Sequence, residues 1–287
     1  MTAKASRARA APARTVASVQ GKAALSMYDL PELHAANDAL WSAISTRLRA
    51  RGLTGAPDQL TRDVPAEVLW THPDLILAQT CGLPLATRLE GQVQVVATPR
   101  YRARGCEGID YRSAVVVRVD HPANSLDDLR GGRCAVNDLH SNSGMNLLRA
   151  EIAPLARGRA FFSSVAITGG HLASAMAVAR DDADLAAIDC VTFAHLQRWR
   201  PQLAKALRVL NWTVRSPGLP LITSLATSPS QLASLREVLA EAAVDPMLRE
   251  VRDLLLLEGF SVAPAEHYRA VLRLADIARG LGYPHLA

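Results

Sequence analysis

Short apolar runs of four to seven residues recur along this 287-residue chain, and most lead within a few residues into a helical pattern. Ser113–Val119, Arg133–Val136, Asp184–Asp189 and Leu221–Ala226 are among them. Strands alternating with helices predict parallel sheets in an α/β fold. The number of runs predicts two sheets of about four or five strands each. No repeat or low-complexity linker separates them, which suits two lobes joined by crossing strands.

One junction stands out chemically. Arg133–Val136 reads as a buried strand and Met145–Ala150 as the start of a helix. Between them lies Asn137-Asp138-Leu139-His140-Ser141-Asn142-Ser143-Gly144. A helix start leaves backbone N–H groups unpaired, and the helix dipole adds partial positive charge there. The hydroxyls of Ser141 and Ser143 add donors, so the stretch suits a phosphate-like or carboxylate anion. Simple helix capping explains Ser and Asn there equally well. Leu33, Asn37, Leu40, Trp41, Ile44 and Leu48 mark one helix face, with Asn37 its polar exception. From Pro229 onward the chain reads as almost wholly helical.

Charge narrows the partners. Five of the 32 Lys and Arg fall within residues 1–22, which hold no acid. The remainder matches the 27 Asp and Glu, so the folded body has no electrostatic footprint for nucleic acid. Residues 1–21 read as a disordered basic tail. They lack the apolar region of a Sec signal and a twin-arginine pair, and no stretch is apolar for the length of a transmembrane segment. Cys81, Cys106, Cys134 and Cys190 include no C-x-x-C pair and no metal motif. Cys134 and Cys190 read as core. Cys81 and Cys106, each beside a glycine, are open to being bridged or free.

The order of three motifs resembles the phosphate/phosphonate-binding proteins of ABC importers, with the type II periplasmic-binding-protein fold. The first is Ser125-Leu126-Asp127-Asp128-Leu129-Arg130-Gly131 followed by a strand and Ser141-Asn142-Ser143-Gly144. The second is Gly169-Gly170-His171-Leu172-Ala173-Ser174-Ala175, and the third is Asp182-Ala183-Asp184-Leu185-Ala186-Ala187-Ile188-Asp189. The resemblance implies two α/β lobes, 22–112 plus 215–287 and 113–214, with hinges near Arg112-Ser113 and Val214-Arg215 and a ligand cleft between them.

It further implies a solute-binding protein for a small oxyanion, phosphonate or phosphate-like, acting by lobe closure with the membrane subunits of an ABC importer. The ligand-binding residues would be Tyr28, Thr80, Cys81, Ser141, Asn142, Ser143, Gly144, His171 and Asp189. His171 would donate, cationic beside a bound dianion, and Asp189 would face an amine or hydroxyl or else cap a helix. No cofactor and no metal are implied. The family is periplasmic; the missing signal leaves the cytoplasm as the alternative. Two other readings remain: an enzyme on the same fold using Cys81 or His171, and a cytosolic sensor working through a protein partner.

Overall fold

A computed structural model describes residues 20–287. The expected basic tail, apart from Gln20 and Gly21, lies outside the described residues. The first half of the chain runs β1 (Lys22–Ala24), α1 (His34–Ala50), α2 (Ala66–Trp70), β2 (Leu75–Gln79), α3 (Gly82–Ala86), β3 (Val93–Tyr101), β4 (Asp110–Tyr111), β5 (Ser113–Arg118) and β6 (Arg133–Val136). Then come α4 (Leu147–Ala156), β7 (Ser164–Ile167), α5 (His171–Ala179), β8 (Leu185–Asp189), α6 (Cys190–Trp199), α7 (Pro201–Lys205) and β9 (Leu207–Trp212). The chain closes with β10 (Ser216–Pro217), β11 (Leu221–Ser224), α8 (Pro229–Val244), α9 (Arg249–Leu254), β12 (Leu257–Ser261) and α10 (Ala265–Gly280).

Two five-stranded sheets form, ordered β1-β2-β11-β3-β12 and β7-β6-β8-β5-β9. Both are mixed rather than parallel, which corrects the expectation from strand–helix alternation. In the first, only β1 and β2 run parallel; in the second, β6 runs parallel to β7 and β8, while β5 lies antiparallel to β8 and β9. The reversed strands are β5 in the second sheet and β11 and β12 in the first. β5 and β9 flank the second-sheet segment, and β11 is the first strand back in the first sheet. Where the chain crosses, β4 and β10 pair as a short antiparallel ribbon.

The inner strands β5, β6 and β8 of the second sheet are buried on both faces, as their near-continuous apolar runs require. Val115 and Val117 of β5 face a core with Leu148 and Ile152 of α4, while Ala114 and Val116 face one with Ala175 and Val178 of α5. In the first sheet, Leu77, Val96 and Leu221 pack on Leu40, Trp41, Ile44 and Leu48 of α1. The polar exception of α1 has a specific task. Asn37 is 4% exposed, and its Nδ2 donates to the Tyr28 carbonyl (3.1 Å) and to Asp29 Oδ1 (2.8 Å). It thereby fastens the turn after β1.

One expectation for the C-terminal part needs correcting. The run from Pro229 contains a strand, β12, which pairs with β3 at the sheet edge. Its Leu-Glu-Gly-Phe-Ser begins at the end of the leucine run 254–257 that closes α9, which masks it in sequence. The last helix packs against both sheets. On α10, Tyr268 packs in a first-sheet core, but Val271 and Ala278, with Tyr283 and Leu286, enter the core of α4 and β5. The chain end is held there too, because the Ala287 carbonyl accepts the Phe161 N–H at 2.7 Å and the Phe162 N–H at 3.1 Å.

Candidate functional site

Between the two sheets lies a cleft with about 820 Å³ of empty space, part of it open to solvent. One wall comes from the first-sheet side, with Tyr28, Trp70, Cys81 and Arg88. The other comes from loops that follow strands of the second sheet, with Asn137, Ser141, Ser143, His171 and Asp189. Ligands in open α/β sheets sit at this carboxyl end of the strands.

The wall of the second sheet begins where β6 ends. Asn142–Asn146 form a π-helical turn ahead of α4, a distortion frequent at functional sites. Ser141, extended at φ −75° and ψ 132°, caps it, and its Oγ accepts the Gly144 N–H at 3.0 Å. Ser143 Oγ lies 3.3 Å from Ser141 Oγ and 2.8 Å from His171 Nε2. The row Ser141–Ser143–His171 thus presents neutral hydrogen-bonding groups in series. Burial pushes the His171 imidazole down to about 4, so it is neutral at neutral pH before any ligand arrives. A Cβ at 144 would overlap Asn137 Oδ1 and meet His171 Cε1 at 3.3 Å, so any larger residue there must displace the Asn137 side chain.

At the end of β8, Asp189 is 1% exposed and does two things at once. Its Oδ1 accepts the N–H groups of Val191 (2.8 Å) and Thr192 (3.1 Å), capping α6. Its Oδ2 accepts the Tyr28 hydroxyl at 2.9 Å from the opposite wall. Burial still raises its pKa to about 6, against the lowering effect of these donors. Burial likewise holds the Tyr28 phenol well above its usual range, so it remains a donor.

Cys81 caps α3 and lines the cleft, with its Sγ facing the Asn142 N–H at 3.3 Å. Burial raises its pKa, so it stands as a thiol. Tyr28, Cys81, Ser141, Ser143, His171 and Asp189 therefore share one cleft. Three other expected residues do not line it. Asn142 is fully buried and turned inward: its Nδ2 donates to Ser216 Oγ (2.8 Å) and the Tyr111 hydroxyl (3.1 Å), and its Oδ1 accepts from Asn146 (3.0 Å). It ties the π-turn to the crossing ribbon. Gly144 spends its N–H on Ser141. Thr80 is wholly buried, its N–H donating to the Pro220 carbonyl at 3.0 Å.

A family model for the periplasmic substrate-binding protein of phosphonate ABC transporters matches residues 63–268. The chain belongs to this family. Among curated proteins no sequence matches it. Solved structures share its fold. A binding protein component of an ABC phosphonate transporter from Pseudomonas aeruginosa superposes with TM-score 0.74 at 16% identity, covering 91% of this chain and 86% of its own. PhnD1 from Prochlorococcus marinus, solved with methylphosphonate, gives 0.72 at 14%, with 89% and 97% covered. A Xanthomonas citri protein solved with ATP gives 0.68 at 19%, with 92% and 98% covered. At these identities the likeness establishes the two-lobed periplasmic-binding-protein fold.

In this family member the cleft also holds residues that sequence reasoning passed over. Arg88 Nη2 pairs with Glu67 Oε1 at 2.7 Å, and its guanidinium lies 5.4 Å from the Trp70 ring centre. Glu67 and Trp70 lie on the short helix α2. That the same helix end faces Ser141 depends on how the two sheets meet, which no local spacing encodes. Among the described residues no group of His, Cys, Asp and Glu is arranged to hold a metal ion, and no helix is long and apolar enough to cross a membrane.

Proposed function

We propose that the chain captures a small phosphonate or phosphate-like oxyanion in the periplasm and presents it to the membrane subunits of an ABC importer. The observation that carries this reading is the Ser141–Ser143–His171 row at a helix start, facing Tyr28 and Asp189 across a cleft of ligand size. The two hydroxyls and the His171 Nε2–H would hold the anionic head. Charge-assisted hydrogen bonds from neutral donors compensate a dianion without a buried countercharge. A bound dianion would also favour the protonated imidazole. Asp189 would take an amine or hydroxyl at the ligand's other end, with Tyr28 closing over it.

The lobes in this reading divide near residues 112 and 214, with α10 shared between them, and closure would bend the chain at the β4–β10 ribbon. The relative from Prochlorococcus marinus, solved with methylphosphonate, supports the ligand class.

Binding without turnover fits the chemistry better than catalysis. Ser143 and His171 lie within the reach of a nucleophile and its base. An imidazole at about 4 is a weak base, however, and the Cys81 thiol is pushed away from the reactive thiolate.

The test is calorimetry and thermal shift against phosphate, phosphite, alkyl- and aminoalkylphosphonates, sulfate and small carboxylates. A ligand at 100 times its dissociation constant should add about 2.7 kcal/mol. Combined Ser141→Ala and Ser143→Ala should weaken binding by about a hundredfold or more, taking each charge-assisted bond at about 1.5–3 kcal/mol. A folded protein that binds none of the phosphorus oxyanions, or binds them equally well without both hydroxyls, would sink the proposal.

A further inference from the structure

The sulfur atoms of Cys106 and Cys190 stand 3.4 Å apart, although 84 residues separate them in sequence. Cys190 is the first residue of α6, immediately after Asp189, and is buried. Cys106 sits on the loop that carries the chain from β3 to the crossing strand β4 and is partly exposed. It lines a solvent-open hollow with Arg104, Glu107, Arg112, Trp212 and Arg215. The loop is shaped for this approach. Gly105 takes φ +105°, and a Cβ there would stand 2.9 Å from both Cys190 Cβ and the Trp212 ring. Only glycine lets the loop lie flat on Cys190. Cys81, the other loop cysteine, is engaged elsewhere with the Asn142 N–H, so the Cys81–Cys106 pairing left open by sequence is not the one the fold brings together.

We propose that Cys106 and Cys190 are the disulfide site of this protein, formed in the oxidising compartment where its family works and tying the inter-lobe loop to the wall of the ligand cleft. Structural disulfides persist in such compartments. The reaction is thiol–disulfide exchange with a small disulfide oxidant such as oxidised glutathione. The Cys106 thiolate attacks one oxidant sulfur, forming a mixed disulfide and releasing one thiolate. Cys190, passing its proton to the departing glutathione sulfur, then attacks Cys106 Sγ and expels the second. Two protein thiols are oxidised to one disulfide, and the oxidant is reduced to two thiols. The exposed member meets the oxidant and the buried member resolves the intermediate, which matches their positions. The bond would fix the start of α6, and with it Asp189, to the loop entering the ribbon.

The full chain, purified reduced, should be treated with oxidised glutathione, alkylated in denaturant and mapped by mass spectrometry. The expected result is a Cys106–Cys190 cross-linked peptide pair, with Cys81 and Cys134 alkylated. The melting temperature should rise by roughly 5 °C, from the loss of chain entropy in the unfolded state. Adding reductant should reverse both. Cys106→Ser should show neither the cross-link nor the shift, and Cys81→Ser should show both. The wild-type comparison of oxidised and reduced protein stands even if a variant folds poorly. Full alkylation of Cys106 and Cys190 after oxidation, a persistent glutathione adduct on Cys106, or a cross-link to Cys81 would each overturn the assignment.

Discussion

Replacing Tyr28 with Phe removes one hydroxyl that reaches across the cleft, and the structure says what that should cost. The hydroxyl donates at 2.9 Å to Asp189 Oδ2, on a carboxylate that is 1% exposed. Two backbone N–H groups remain on Oδ1, so the carboxylate is not orphaned. A hydrogen bond to a buried charged group contributes about 1.5–3 kcal/mol. The loss should depend on pH. In the wild type, burial holds Asp189 at about 6, and the Tyr28 bond works against that rise. Without it the pKa should move further up, because the charged form loses more than the neutral form does.

The native state therefore binds more protons than the unfolded chain between about 4 and 6, and Asp189 subtracts stability as pH rises through that window. In the variant the window extends higher. The stabilisation that Tyr28 gives the carboxylate is present above pH 6 and fades as pH falls through the folded pKa. Urea unfolding at pH 5 and pH 8 should show a destabilisation of about 1.5–3 kcal/mol at the higher pH and a smaller, neutral-bond value of about 1 kcal/mol at the lower. Equal destabilisation at both values would refute the charged Asp189–Tyr28 pair.

Other expectations follow from packing. Gly144→Ala forces a Cβ onto Asn137 Oδ1 and against the His171 ring, so it should cost about 1–3 kcal/mol of stability and weaken oxyanion binding in calorimetry; unchanged affinity would show that the π-turn yields freely. Asn142→Ala deletes buried bonds to Tyr111, Ser216 and Asn146 without removing a cleft side chain, so it should lower the denaturation midpoint by the equivalent of about 2–3 kcal/mol. Its effect on affinity should be smaller than that of the Ser141/Ser143 double substitution; the reverse order would return Asn142 to the ligand.

Much of the second sheet's wall was legible because its information is local. A buried strand, a run of small polar residues and a helix start lie within some twenty residues, and hydrogen bonds such as Ser141 Oγ to Gly144 N span three. The glycine of that run is explained by a neighbour seven residues away, Asn137. The opposite wall was only half legible. Tyr28 was named through the family resemblance, yet its partner Asp189 is 161 residues distant. Trp70 and Arg88 were missed because neither has a spacing that signals a site. Asn142 was misplaced for the converse reason. It belongs to the right motif, but its side chain follows the rotamer that satisfies Ser216 and Tyr111, both far away in the chain.

The sequence by itself determined the α/β class and the polar strand-to-helix junction at Ser141–Gly144, while the two-lobed fold came from the resemblance that its three motifs carry. Apolar periodicity, turn chemistry and helix starts act over a few residues and need no partner to be read. Tertiary structure alone decided that the sheets are mixed, that α10 serves both cores, that Asn142 braces the ribbon rather than the ligand, and that Cys106 meets Cys190. Each depends on which distant surfaces are buried together. That choice is made by packing and by the pairing of buried polar groups, whose energies depend on neighbours that sequence separation does not reveal.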